Sequence, residues 1–204
     1  MKTLNTFKPI FLTILIATAF WIKGHEANAA EPQTLTVAGG CFWCVEADFE
    51  KVNGVIGAVS GYTGGSTANP TYKQVTRGGT GHYEAVQITF DPDVISRATL
   101  MDMFLRTVDP TDAGGQFCDR GDTYRTAIFV SGQSEKTLAK ETIAAAQAEL
   151  GQTIVTPILP ASQFYLAEDY HQDYYKGRSL VLTFYREACG RDARVRELWG
   201  KALG

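Results

Sequence analysis

A strand that runs straight into a helix through two glycines, with a cysteine at the junction, sets the first limit on what this chain can fold into. Thr34 to Ala38 alternates side chains as a half-buried strand does and stops at Gly39-Gly40, and Phe42, Val45, Phe49 and Val52 then recur at helical spacing. Residues without a side chain permit the tight approach of strand end to helix start. The fold therefore needs a sheet with a helix packed on it, and Cys41 and Cys44 open that helix.

The remaining pattern extends this arrangement. Val55 to Tyr62 reads as a second strand ending in the loop Gly61-Tyr62-Thr63-Gly64-Gly65, and Tyr83 to Phe90 as a third. His82, Glu84, Val86, Ile88 and Phe90 share one face of that third strand, which puts the Glu84 carboxyl on an apolar side. Ser96 caps a helix whose stripe is Leu100, Met103, Phe104 and Thr107, and Asp109-Pro110 stops it. A Gly- and Asp-rich loop from Thr111 to Thr123 precedes a strand from Thr126 to Val130. Ser134 caps a helix with Ala139, Ile143, Ala146 and Leu150 on one face, and Ile154 to Leu159 reads as a strand. Few connections are long enough for crossover helices, so the expected class is α+β, a two-layer sandwich with a central mixed sheet and a ferredoxin-like core.

Residues 1–29 differ in kind from the rest. Lys2 and Lys8 precede an apolar run from Ile10 to Ile22, and Ala27-Asn28-Ala29 supplies the small residues that a signal peptidase requires. The run is shorter than the roughly 20 residues that span a bilayer, so cleavage after Ala29 is expected rather than an anchor. The expected mature unit is one catalytic domain, residues 30–204, with a C-terminal tail from about residue 178, working in the periplasm or secreted and without stable membrane association. A net charge of -3 with mixed signs gives no basic field for nucleic acid. In an oxidising compartment cysteines become disulfides unless something reduces them.

A cysteine in the first turn of a helix faces exposed N–H groups and the positive end of the macrodipole, which favour the thiolate, so Cys41 is the candidate nucleophile. Phe42 and Trp43 add an apolar rim, and Cys44 lies one turn away, within reach of a disulfide. A static Cys41–Cys44 disulfide would close too small a loop to stabilise much. Half of a zinc site is disfavoured because Cys118 and Cys189 are isolated rather than a second close pair. No metal and no cofactor are expected.

The motifs Gly39-Gly40-Cys41-Phe42-Trp43-Cys44 with Glu46, Gly61-Tyr62-Thr63-Gly64-Gly65, Asn69-Pro70-Thr71-Tyr72, Gly81-His82-Tyr83-Glu84, Tyr124-Arg125 and Ala167-Glu168-Asp169-Tyr170-His171-Gln172 occur in that order. Together, from about Leu35 to Tyr175, the chain resembles the A-type peptide methionine sulfoxide reductases. The resemblance implies that Cys41 attacks the sulfur of the S epimer of methionine sulfoxide and becomes a sulfenic acid. It implies Glu84 as the acid that protonates the departing oxygen, and Tyr72 and Tyr124 as phenols that hydrogen-bond it. Phe42 and Trp43 correspond to the wall receiving the S-methyl group. Asp119 matches a loop carboxylate, although its surroundings, Phe117-Cys118-Asp119-Arg120-Gly121-Asp122, depart from the family pattern. His82 and His171 are read as structural.

A second thiol must then resolve the sulfenic acid. Cys44 is favoured for its fixed proximity and Cys189 is the alternative, while a Cys118–Cys189 pair, structural or relaying, stands beside both. Turnover implies a thioredoxin-like dithiol donor acting on a monomer, with free or protein-bound methionine sulfoxide as substrate. Two other readings compete: a thioredoxin-like disulfide oxidoreductase, which leaves Glu84, Tyr72 and Tyr124 without a use, and a secreted binding module with two structural disulfides.

Overall fold

The computed structural model describes residues 30–200; the expected signal peptide, residues 1–29, lies outside them. Strand β1 (Gln33–Gly39) passes through Gly40 into helix α1 (Phe42–Phe49). Gly40 has φ +78°, and a Cβ there would stand 2.6 Å from that of Gln116, so both conformation and space demand glycine. Strand β2 (Val55–Thr63), the short helix α2 (Tyr72–Arg77), β3 (Tyr83–Phe90) and α3 (Arg97–Leu105) follow. Ser96 caps α3 as expected, its hydroxyl accepting the Thr99 N–H at 3.1 Å.

The Thr111–Thr123 loop is a built structure. It contains a hairpin of β4 (Gly115–Gln116) and β5 (Asp119–Arg120), then one 3-10 turn over Asp122–Tyr124. Strand β6 (Thr126–Val130) and helix α4 (Gln133–Leu150) come next. Gly132, not Ser134, is the N-cap of α4, and the Glu135 carboxylate accepts the Ser131 N–H at 2.8 Å. The strand expected from Ile154 begins only at Ile158, as β7 (Ile158–Pro160), because Pro157 has no N–H to give to a ladder. After β8 (Tyr165–Leu166), residues expected as a tail form α5 (Tyr174–Ala188), kinked at Arg178, and α6 (Arg191–Trp199).

The six-stranded sheet has the order β7-β6-β1-β3-β2-β8. All neighbours are antiparallel except β6 and β7, so the sheet is mixed, and β6-β1-β3-β2 reproduces the ferredoxin-like order. Val37 opposite Val86 and Leu35 opposite Ile88 pin the register at the centre. Those side chains join Phe42, Val45 and Phe49 of α1 and Leu100, Phe104 and Leu105 of α3 in one core beneath the sheet. No helix among the described residues is long and apolar enough to cross a membrane.

Candidate active site

Cys41 is the N-cap of α1, at the end of the central strand β1, and its side chain is buried, with 5 % exposure. The neighbouring strand β3 presents Glu84, 2 % exposed, with Val86 and Ile88 on the same face as the alternation predicts. Glu84 Oε2 accepts the Phe42 N–H at 3.1 Å, so the acid docks on the first exposed N–H of the nucleophile's helix. Cys41, Phe42, Trp43, Tyr72, Glu84, Asp119 and Tyr124 all line one cavity of about 120 Å3, with Tyr185 as a further member. A larger cavity of about 360 Å3 lies between α1, α5 and α6, and no cysteine lines it.

Burial dominates the electrostatics. The Glu84 carboxyl is pushed up to about 8 by desolvation, with Asp119 and Cys44 adding to the rise and the Phe42 N–H opposing it. The expected thiolate at Cys41 is not what the site favours. Desolvation, then the hydrogen bond and charge of Cys44, then Glu84 hold the Cys41 thiol well above its ordinary value, and the helix terminus does not offset them. Burial also raises the phenols, Tyr72 to about 12 and Tyr124 further, with Glu84 the next cause for each. Both are hydrogen-bond donors at every physiological pH.

The supporting contacts explain how these side chains are held. Glu168 accepts the Tyr72 N–H at 2.9 Å and the Tyr62 hydroxyl at 2.8 Å, tying the start of α2 to β2. Thr71 and Gln74 form a capping box at that helix start. Trp43 donates from Nε1 to His171 Nδ1 at 3.1 Å and stacks on Tyr174 at 3.9 Å, which fixes the indole wall. His82 accepts the Gly65 N–H at Nδ1 and bonds Thr67 O through Nε2, and neither histidine lines the cavity. Glu46 accepts the Asp173 N–H at 2.6 Å and the Ser60 hydroxyl, anchoring α1 to the entry of α5.

Asp119 comes from β5 and accepts the hydroxyl of Tyr185, a residue of α5 that the sequence did not single out. Burial raises Asp119, and the Tyr185 hydroxyl opposes the rise. Cys44 is fully buried behind Cys41, packed with Ala47 and with Leu182 of α5, and both cysteines carry free thiols. Cys189 is not free: it is bonded to Cys118, with a Cα–Cα separation of 4.9 Å. Among the described residues, the acidic group Glu46, Glu50 and Asp173 is spaced to hold a cation, but Lys176 already pairs with Glu50 and Asp173.

The family described as peptide methionine sulfoxide reductase matches residues 33–203. The chain is 51% identical over 174 residues to peptide methionine sulfoxide reductase MsrA 2 of Rhizobium meliloti, covering 85% of this chain and 87% of that one. It is 49% identical over 192 residues to the protein of the same name from Caulobacter vibrioides, covering 93% and 98%. The crystal structure of Mxr1 from Saccharomyces cerevisiae in reduced form is similar with a TM-score of 0.70 at 30% identity, over 73% of this chain and 87% of that one. A buried thiol, a protonated carboxyl and two phenols around one small cavity agree with a match that runs through nearly every described residue, and the chain belongs to the peptide methionine sulfoxide reductase family.

Proposed function

We propose that this protein reduces the S epimer of methionine sulfoxide, free or within proteins, to methionine. The observation that carries the reading is Glu84, a buried carboxyl with a pKa of about 8 in the cavity that Cys41 lines. At neutral pH it holds a proton, which a sulfoxide needs because its oxygen leaves only when protonated. The methyl group rests against Phe42 and Trp43, and the oxygen lies among Tyr72, Tyr124 and Glu84. The Cys41 sulfur attacks the sulfoxide sulfur as Glu84 protonates the oxygen. The Cys41 thiol proton returns to Glu84; the hydroxyl then passes from the substrate sulfur to Cys41 as the newly formed S–S bond breaks and leaves its electron pair on the thioether, so that thiol plus sulfoxide become sulfenic acid plus thioether, Cys41 oxidised and the substrate reduced, with no net proton change.

Cys44 then resolves the sulfenic acid, forming a Cys41–Cys44 disulfide and water. Cys44 is favoured over Cys189 because it is a free thiol packed in one cluster with Cys41, whereas Cys189 is held by Cys118. A thioredoxin-like dithiol reopens the disulfide; the yeast Mxr1 is known in complex with Trx2. The leader pattern of residues 1–29 supports a periplasmic or secreted site of action, where such a donor must be supplied with electrons across the membrane.

The test is racemic methionine sulfoxide with dithiothreitol, followed by chiral analysis. Consumption of the S epimer with the R epimer left over is expected. Failure to form methionine, with reduction of insulin disulfides instead, would move the protein to the disulfide oxidoreductases. For the resolver, Cys44→Ser should release one methionine per chain and stop recycling with a dithiol protein donor; normal recycling by this variant would remove Cys44 from the role.

A further inference from the structure

His171 ends the 3-10 turn Asp169–His171 and is 2 % exposed, standing directly behind the cavity wall. Its ring centre lies 4.3 Å from that of Tyr72, 5.1 Å from Phe42 and 5.5 Å from Trp43, three side chains that line the cavity. The backbone is tied down on both sides. The His171 N–H donates to Glu168 O at 2.8 Å, and the Gln172 amide exchanges two hydrogen bonds with the backbone of Ser60 on β2, at 3.0 and 2.9 Å. The imidazole is therefore a fixed point behind the wall.

One contact settles the chemical state of the ring. The indole Nε1–H of Trp43 can only donate, so the His171 Nδ1 that receives it at 3.1 Å carries a lone pair, and the ring proton sits on Nε2. That Nε2–H is buried without a partner, 4.0 Å from Glu168 Oε2 and too far for a hydrogen bond. A donor is left orphaned while the Trp43 bond is made, so the arrangement serves the indole. Stacking on Tyr174 at 3.9 Å and 8° sets the plane of the indole, and the bond to Nδ1 sets where its edge stands within that plane.

A second proton could enter only at Nδ1, where it would meet the Trp43 N–H donor to donor. Around the ring, Glu168 and Tyr170 lie on its own segment and Tyr72 on α2, with Tyr62 of β2 behind Glu168. Phe42 and Trp43 of α1 carry no charge, and Tyr174 of α5, with Arg178 4.9 Å over its ring, lies across the indole. Glu168 favours the imidazolium, but burial outweighs it and holds the ring below its ordinary value.

We propose that His171 is a positioning residue for substrate affinity: its neutral ring holds Trp43 in the wall that receives the S-methyl group, and its protonation releases the indole and sets an acid limit on binding. This rests on the wall's part in the proposed reaction. The two pH limits are separable, because the alkaline one belongs to the Glu84 proton and reads on the chemical step, whereas the acid one reads on affinity.

Single-turnover methionine formation, measured against the concentration of methionine S-sulfoxide, gives a half-saturating concentration and a limiting rate. His171→Phe keeps a ring behind the wall and removes the acceptor. At pH 7 it should raise the half-saturating concentration by about tenfold and change the limiting rate by less than about twofold. His171→Asn, whose amide oxygen stands near the place of Nδ1 and does not titrate, should recover most of the affinity. In the parent the half-saturating concentration should rise as pH falls below the ordinary imidazole value of about 6.5, and in His171→Asn it should stay level. Affinity and limiting rate lost together at every pH would mark a purely structural defect and overturn the inference. So does a parent whose half-saturating concentration is level down to the pH at which circular dichroism shows the fold lost. A further readout needs no substrate: the imidazole nitrogen resonances of His171, assigned by their absence in His171→Asn, should show the Nε2–H tautomer at pH 7. The Nδ1–H tautomer or the imidazolium there overturns the inference. A parent that forms no methionine fails the proposed function, whereas a parent that forms it, with affinity unchanged in His171→Phe, fails His171 alone.

Discussion

Glu84 accepts a single backbone N–H, that of Phe42, at 3.1 Å. A carboxylate that receives two or three such donors is held in its ionised form, but one donor does not compensate for burial at 2 % exposure. The bond orients the carboxyl toward the cavity without taking its proton. The same N–H is one that the helix start could otherwise offer to a Cys41 anion, so one contact both aims the acid and helps keep the nucleophile protonated until substrate arrives.

Glu84→Gln should therefore lower the reductase step by about a hundredfold or more at pH 7, measured as methionine formed in a single turnover. In the parent chain the working form is the protonated one, so the rate should be maximal below about 8 and fall as pH rises through that value. That alkaline limb should vanish from the residual activity of Glu84→Gln. A limb that survives the substitution would belong to another group.

The same substitution should stabilise the fold. Glu84 has a folded value of about 8 against an ordinary 4.5, so the native state binds more protons than the unfolded chain between those limits. Stability is thus highest at or below the unfolded value and is lost as pH rises toward 8, reaching on the order of 4 kcal/mol for a wholly buried group. Glu84→Gln should melt higher than the parent at pH 8.5, by about 10 °C for a chain of this size, and the difference should shrink toward pH 5. Calorimetry at the two pH values checks it.

The Cys118–Cys189 bond closes a loop with a sequence separation of 71. Its removal by paired alanines should cost about 4 kcal/mol in the chain-entropy account. Because neither sulfur lies in the cavity, methionine formation and the Cys41–Cys44 disulfide should both survive below the lowered melting temperature. Loss of recycling with the fold intact would assign this pair to electron relay.

The sequence displayed the parts whose patterns are local and left hidden the parts fixed by distant packing. Alternation in β1 and β3 and helical spacing in α1 located Cys41 and Glu84, and by pairing β1 with β3 the sheet makes them neighbours. Helix α2 has no apolar period because Val75 is its only buried residue; the Thr71-x-x-Gln74 capping box was its one legible signal. Helix α5 misleads a reader of hydropathy. Leu180, Val181 and Phe184 are exposed, whereas Tyr185 reaches the cavity and Arg186 grips Asp48. Burial of Cys41, which reverses the thiolate expectation, depends on that helix lying over α1, and nothing near Cys41 in the chain announces it.

Glu168 shows how a residue outside the cavity governs one within it. Its two oxygens take the Tyr72 N–H and the Tyr62 hydroxyl, so it sets the angle at which α2 presents the Tyr72 phenol. Glu168→Ala leaves both donors unpaired, and Tyr62 is fully buried, which should cost about 1–3 kcal/mol. Displacement of Tyr72 should also slow single-turnover methionine formation by roughly tenfold or more. Combining Glu168→Ala with Tyr62→Phe separates the two effects, because the double variant no longer buries an orphaned hydroxyl. Its stability should recover most of the loss while its rate stays low, since the Tyr72 N–H still lacks its anchor. Recovery of rate together with stability would mean that Glu168 acts on the fold alone and that Tyr72 finds its place without it.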